Sequence, residues 1–215
     1  MPEELPDPLF DPAVDRTTDP AALQALVHPL RLQLLGQLRR HGPATATQLA
    51  AALHVSSALA SYHLRQLDAG GFVEDADDDE VAERRRGGRE RWWRASARST
   101  WVTSTSTTDS AADAIVRDYL AVVLENGFSN ARTWLDVEPE WPDEWQHLDD
   151  FSDVMLALTP AEVRQFDQEL AALRARYRRH DPAEPLPPGA AIVTFQYQLY
   201  PEPRQTPPHA PQADG

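Results

Sequence analysis

Six arginines lie between positions 84 and 94, where Glu90 is the single acid, so these eleven residues carry a net charge of +5. The six are Arg84, Arg85, Arg86, Arg89, Arg91 and Arg94. Guanidinium groups donate forked hydrogen bonds to phosphate oxygens and also enter the narrow minor groove of DNA. The cluster predicts contact with a nucleic-acid backbone or minor groove. The competing interpretation is a solvated charge run paired with nearby acids.

An acidic run comes shortly before this cluster, from Glu74 and Asp75 to Glu80. Its six carboxylates would repel DNA unless they fold away or pair with the arginines. The stretch from Asp75 to Arg86 has the length of a calcium-binding loop. However, Glu80 stands where that loop needs glycine, and Arg86 stands where it needs glutamate. We therefore expect no calcium site there.

A second candidate surface lies on a helix predicted over residues 57–69, whose two faces differ in chemistry. Ala60, Leu64 and Leu67 fall on one face at helical spacing. The opposite face is small and polar and carries Ser57, Ala58, Ser61, Tyr62 and Arg65. Its hydroxyl and guanidinium groups can donate hydrogen bonds to phosphates or bases, whereas the simpler interpretation is a solvated surface. His63 lies between the faces, where local packing and hydrogen bonding are the simpler interpretation.

Several classes of chemistry are excluded by composition. The chain has no cysteine, and all 20 residues of its Lys+Arg count are arginines. Disulfides, zinc–thiolate sites, thiol nucleophiles, lysine Schiff bases and the lysine of a P-loop are therefore absent. The seven histidines show no close pair at ligand spacing, and no common catalytic motif is present. We expect no metal, no cofactor and no enzymatic activity.

The net charge of −14 is unevenly distributed. Residues 1–20 carry one arginine and six acids, residues 21–100 carry eleven arginines and nine acids, and residues 101–215 carry eight arginines and nineteen acids. Only the middle segment is net positive. Because binding to nucleic acid depends on neutralising phosphates, the middle segment is the one suited to such a partner.

The elements that would position these residues can be predicted from their start signals. Asp19–Pro20 and His28–Pro29 each place a proline in the first turn of a helix. Thr45–Gln48 fits a capping box that begins a short third helix, and a tight turn at His54–Ser56 precedes the helix over residues 57–69. Two short strands, at Phe72–Asp75 and Arg89–Ala95, then flank the charged loop.

This order of elements resembles the winged helix-turn-helix domain of arsenic-repressor-like (ArsR-type) transcription regulators, in particular an actinobacterial group without cysteines. The resemblance covers residues 21–95, a minority of the chain. The segments that carry it are His28–Leu35, Thr47–Ala50, Ser61–Leu67, Gly71–Val73 and Gly88–Trp93.

The resemblance implies sequence-specific binding to double-stranded DNA, with the helix 57–67 in the major groove and the arginine-rich hairpin on the backbone or minor groove. The DNA-contacting residues would be Ser57, Ala58, Leu59, Ser61, Tyr62, His63, Arg65, Arg84, Arg85, Arg86, Arg89 and Arg91. In that arrangement Leu59 would meet a thymine methyl group, and Arg65 would reach a guanine or a phosphate.

A further helix is predicted over residues 109–136, with an interruption at Asn126–Gly127, and its apolar stripe needs a partner. The resemblance implies that this helix and the first one pack against a second copy, so that a homodimer reads a pseudo-palindromic operator. The dimer residues would be Leu23, Ile115, Tyr119, Val122 and Val123. The alternative is packing against the chain's own C-terminal region.

Beyond that helix we predict a small α+β domain over residues 138–200. It would contain a strand at Asp150–Leu158, a helix from Thr159 to about Arg179 and an alternating strand at Ala191–Tyr200. Its aromatic residues would either fill a small core or line a pocket for a small-molecule effector. The pocket candidates are Trp134, Trp141, Trp145, Phe166, Tyr177 and Phe195.

The predicted fold class is mostly α with small β. A winged helix-turn-helix domain (19–96) precedes a hinge and dimerisation helix (97–137) and the small α+β C-terminal domain (138–200), and tails at 1–18 and 201–215 are expected to be disordered. No apolar run could cross a membrane, and the acidic start lacks the features of a signal peptide, so we expect a cytoplasmic location. Two alternative functions remain open, a winged-helix protein-interaction module and a regulator that senses an apolar small molecule.

Overall fold

A computed structural model describes residues 10–82, 90–102 and 110–204. In chain order its elements are β1 (Asp15–Thr18), α1 (Pro20–Leu23), a 3-10 turn (Gln24–Leu26), α2 (Pro29–His41), β2 (Ala44–Thr45), α3 (Ala46–Ala52), α4 (Ser57–Ala69), β3 (Val73–Asp75), α5 (Asp78–Val81), β4 (Trp92–Ala95), β5 (Ser99–Val102), α6 (Ser110–Val137), a second 3-10 turn (Glu138–Glu140) and α7 (Pro160–Arg174). The predicted fold class is confirmed. None of the helices in these ranges is long and apolar enough to span a bilayer.

The core lies in the first half of the chain and is built mainly from leucines of α1, α2 and α4. Its fully buried members include Leu23, Leu34, Leu35, Leu64 and Leu67. Helix α3 is held in place by the predicted capping box, in which Thr45 Oγ1 accepts from the Gln48 amide and Gln48 Oε1 accepts from the Thr45 amide. The caps and the helical spacing therefore position α4 as predicted.

Two small sheets join segments that are far apart in the sequence. Strand β4 pairs antiparallel with both β2 and β3, so the predicted hairpin strands are present in shorter form. Strand β1 pairs in parallel with β5, with Asp15 opposite Ser99 and Thr18 opposite Val102.

The parallel pair corrects two expectations from the sequence. Residues 15–18 form a strand where a disordered tail was expected, and residues 99–102 form a strand where a hinge was expected. Ser99 Oγ donates to an Asp15 carboxylate oxygen at 2.7 Å, and the Arg98 amide donates to the Val14 carbonyl at 2.6 Å. These partners are far apart in the chain, so local patterns do not reveal them. The remaining tail predictions for residues 1–9 and 205–215 lie outside the described residues.

Helix α6 runs without a break through Asn126 and Gly127, where we expected an interruption. Gly127 is buried, and a Cβ atom there would lie only 2.8 Å from Gln196 Nε2. The glycine thus allows the chain near Gln196 to pass close to the helix, and packing outweighs its low helix propensity. Helix α6 also packs against α1 and α2 of the same chain.

The C-terminal region contains α7 and long stretches without regular structure. The strands predicted at residues 150–158 and 191–200 are not formed, and α7 ends at Arg174 rather than near Arg179. An alternating pattern shows that a segment suits a sheet, but a strand also requires a neighbour with which to share its backbone hydrogen bonds. Neither segment has such a neighbour within the described chain.

Candidate nucleic-acid interface

A short turn connects the end of α3 to the start of α4. His54 adopts a left-handed backbone conformation with φ of 55°, and the Val55 amide donates to the Ala50 carbonyl at 3.0 Å. Ser56 then caps α4 by accepting a hydrogen bond from the Leu59 amide at 3.2 Å. The turn fixes the start of α4 against α3, so that the first residues of α4 face outwards.

The exposed face of α4 is the small and polar one. Ala60, Leu64 and Leu67 are fully buried, as their spacing predicted. The opposite side presents Ser57, Ala58, Leu59, Tyr62 and Arg65 to solvent, with Ser61 half-buried beside them. These side chains form a surface with hydroxyl and guanidinium donors and one aliphatic group, which suits the mixed chemistry of the major groove.

His63 lies away from that surface. It is only 6% exposed, and its ring packs against that of His28 with a centroid distance of 4.3 Å and a tilt of 42° between the ring planes. Tyr62 approaches it edge-on at 5.1 Å, while the buried Nδ1 atom of His63 has no hydrogen-bond partner among the residues that the structure describes. Burial and the nearby charges of His28 and Arg31 lower the pKa of His63 below its usual value of 6.5. The packing role that the sequence left open is the one this geometry supports.

The histidine stack predicts that stability falls in mild acid. Burial also lowers the pKa of His28, so the folded protein keeps both rings neutral where the unfolded chain would bind protons. Their stabilising contribution is complete above about pH 6.5, the unfolded value, and is lost as the pH falls towards the lower folded values. His63→Phe should therefore flatten the decrease in unfolding free energy between about pH 7 and pH 5, as measured by urea denaturation.

A matched control for the pH prediction is His54→Gln in the exposed turn before α4. It should leave the pH dependence of the wild type in place. An equal slope in the His63→Phe and wild-type proteins would show that the buried stack does not cause the acid sensitivity.

The described part of the arginine cluster is paired with the acidic run. Arg91 binds the carboxylates of Asp68, at 3.0 Å, and Asp75, and its guanidinium lies 3.6 Å from the Trp93 ring centroid. Arg94 binds Glu74 at 2.8 Å. These contacts explain how several carboxylates are accommodated beside the hairpin. The predicted contacts Arg84, Arg85, Arg86 and Arg89 lie outside the described residues.

A comparison with protein-family models finds one match in this part of the chain. The model of a helix-turn-helix domain matches residues 26–76. Residues 26–76 are a helix-turn-helix domain. The match spans α2, β2, α3, α4 and β3. No curated protein matches the chain.

The candidate dimer residues lie largely inside one chain. Leu23 is fully buried, and Tyr119 belongs to the core of the helix-turn-helix domain. Ile115 and Val123 are partly buried against that same core, and Val122 is half-buried. The alternative of packing within the chain therefore accounts for most of these side chains.

The candidate pocket residues are only partly brought together. Trp134, Trp141 and Trp145 form a chain of edge-to-face contacts with centroid distances of 5.2 and 6.0 Å. In contrast, Phe166, Tyr177 and Phe195 are exposed. A separate cleft of about 330 Å³ lies between the end of α2, α3 and Trp92, and none of the six lines it.

Sequence reasoning missed the cluster around Asp15. The carboxylate is completely buried, and it receives hydrogen bonds from Arg179 Nη1 at 2.7 Å, Arg179 Nη2 at 3.1 Å and Ser99 Oγ at 2.7 Å. His180, the residue after Arg179, contacts the Arg40 carbonyl through Nε2 at 2.7 Å. The C-terminal region is thus attached to the helix-turn-helix domain. An aspartate in a proline-rich segment carries no local signal of this role.

Proposed function

We propose that the chain is a sequence-specific, double-stranded DNA-binding transcription regulator of the ArsR-like winged-helix type. The observation that carries the proposal is the outward polar face of α4, which follows α3 after a short turn within the helix-turn-helix domain. In such domains the second helix enters the major groove, which is about 12 Å wide. The protein would act in the cytoplasm, with no catalytic step.

In this proposal, α4 reads base edges near its N-terminus. Ser57, Ala58 and Ser61 are small enough to let the helix backbone approach the bases, and Leu59 offers an aliphatic contact for a thymine methyl group. Tyr62 and Arg65 extend further, to a phosphate or a guanine. His63 supports α4 from beneath rather than touching DNA.

The hairpin would supply contacts to the DNA backbone or minor groove. Arg91 and Arg94 are held by carboxylates on the hairpin surface, and phosphates would have to compete with these ion pairs. Exposed ion pairs contribute little, about 0–1 kcal/mol, so such an exchange is inexpensive. The hairpin arginines from 84 to 89 would add to this positive field.

We further propose that the regulator is a homodimer through α6. The outer side of the helix exposes an apolar stripe at a spacing of four, four and seven residues, made of Leu120, Leu124, Phe128 and Leu135. This stripe faces away from the core. The dimer residues predicted on α6 from the sequence, by contrast, are buried or partly buried within the chain. A two-fold dimer would present two copies of α4 to a pseudo-palindromic operator.

The direct test is selection from a random duplex library, followed by anisotropy titration of the selected site across a salt series. An inverted repeat with a steep loss of affinity as salt increases would support the proposal, because phosphate contacts release counterions. If no sequence is enriched and binding stays flat and weak at low salt, the DNA-binding proposal fails. A winged-helix module for protein partners would then be the better account.

Arg65→Ala should weaken binding to the selected site by about tenfold to a hundredfold, which corresponds to about 1–3 kcal/mol for a lost base contact. Its guanidinium lies on the exposed face of α4, so the protein should fold normally. Competition anisotropy against single-base variants of the site would show whether specificity is relaxed at one position.

Arg164→Ala is the matched control, because it removes an exposed arginine from α7, outside the helix-turn-helix domain. It should leave affinity within about twofold, a difference of less than 0.5 kcal/mol. Equal losses in both variants would point to a general charge effect and not to readout by α4.

A further inference from the structure

Two segments of the C-terminal region expose most of their large apolar side chains. All residues from 151 to 158 and from 193 to 200 are exposed. Met155 is 86% exposed and Val193 is 73% exposed. Neither segment belongs to a helix or a sheet, although both have sequences typical of strands.

The same two segments are nearly uncharged. Residues 191–200 contain no charged side chain and residues 151–158 contain one, Asp153, in a half of the chain whose net charge is −11. Charge is what usually protects an unpaired strand from association with other chains. The low charge of these segments is typical of strands that pair with a neighbour.

The later segment is continuous with the exposed stripe of α6. Gln196 lies against Gly127, which is one residue from Phe128 and three from Leu124 in the helix. Tyr197 donates a hydrogen bond to Asp167 on α7 at 2.7 Å. The segment therefore passes beside the stripe, where Phe128 remains 76% exposed. The stripe and the segment form one apolar surface.

We propose that a second copy of this chain covers that surface by strand exchange, with residues 191–200 of each protomer pairing with residues 151–158 of the other. This inference rests on the proposed homodimer. Among the described residues neither segment pairs with a strand, whereas two-fold symmetry would bring both complementary strand pairs together at once. Pairing 191–200 with its own copy would leave residues 151–158 uncovered.

The size of the surface fits this occupant. Ten large apolar side chains of the stripe and the two segments, at roughly 100 Å² each, would bury about 1,000 Å² per chain, compared with about 800 Å² per partner in a typical stable interface. The ten are Leu120, Leu124, Phe128, Leu135, Phe151, Val154, Met155, Leu156, Val193 and Phe195. Exchange would also satisfy backbone groups that are now without sheet partners.

The natural absence of cysteine makes a cross-linking test clean. Full-length chains carrying Val154→Cys or Gln196→Cys, each with a different tag, would be co-expressed and treated with a bis-maleimide. We expect a cross-linked product that contains both tags. A chain with Ala51→Cys on the exposed surface of α3, paired with Val154→Cys, is the control and should give little product. Equal yields in the two pairings would overturn the proposal.

Val193→Asp should raise the dimer dissociation constant by about tenfold or more, because the interface would then bury a carboxylate in each chain. Sedimentation velocity would measure this, with Ala51→Asp as the control and circular dichroism to confirm that both variants remain folded. A folded Val193→Asp protein that dimerises like the wild type would refute strand exchange.

The two proposals fail in different ways. If the wild type is a monomer, the homodimer and the strand exchange are both wrong. If it is a dimer with unaltered affinity in Val193→Asp, only strand exchange is wrong. If Val193→Asp still binds a single half-site at higher protein concentration, the substitution impairs dimerisation and not DNA binding. Loss of half-site binding by the folded protein would contradict this explanation.

Discussion

Leu64→Ala should lower the free energy of unfolding by about 2–5 kcal/mol, because it leaves a cavity beneath α4. Leu64 is completely buried among the leucines of α2 and α4. A loss of this size is a large fraction of the stability of a small domain. Chemical denaturation monitored by circular dichroism would measure it.

The matched control is Leu59→Ala on the same helix, where the side chain is exposed. It should change stability by no more than about 0.5 kcal/mol, yet it should weaken binding to a site whose recognition includes a thymine methyl group. If Leu59→Ala proved as destabilising as Leu64→Ala, the assignment of the inner and outer faces of α4 would be wrong.

Asp15→Ala should destabilise the protein by about 3–5 kcal/mol, because it leaves two arginines without their shared buried carboxylate. Arg179 donates two hydrogen bonds to Asp15, and Arg98 Nε lies 3.7 Å from it. Thermal or urea unfolding would measure the loss. The double variant Asp15→Ala, Arg179→Ala should cost less than the sum of the single variants, since each single change already breaks the pair.

The pH dependence tests the same cluster. Burial by itself would raise the pKa of Asp15, but the hydrogen bonds from Arg179, the Asp11 amide and Ser99 outweigh it and lower the pKa from 3.8 to about 2. The resulting stabilisation, about 2 kcal/mol, is complete above about pH 4 and is lost as the pH falls through 2. Asp15→Ala should remove this part of the acid unfolding curve, while Asp118→Asn, an exposed change on α6, should not.

The predictions that agree with the structure concern features determined by residues that are close together in the sequence. The capping box of Thr45 and Gln48 lies within four residues and determines where α3 begins. The helical spacing of Ala60, Leu64 and Leu67 identified the buried face of α4 and, by exclusion, its outer face. His63 lies at the border of the two faces, and only its stacking on His28 decides its role.

Predictions failed where a distant segment decides the outcome. Strand β1 exists because β5 lies beside it, and nothing near Asp15 in the sequence indicates that neighbour. Gly127 signals a break by propensity, but the helix continues, with Gln196 lying against it. At residues 191–200 the alternation suits a strand, but the described residues provide no neighbouring strand for it.

The parallel pairing of β1 with β5 also has a consequence for engineering. The helix-turn-helix domain lies within the segment from Thr18 to Ser99, and these two residues lie at opposite ends of a four-residue strand pair. With a rise of about 3.3 Å per residue, the two ends of the enclosed module are only about 10 Å apart. A module with neighbouring ends can be inserted into a host loop or circularly permuted with a short linker. The two ends of the segment between β1 and β5 are thus close enough to be joined by a short linker.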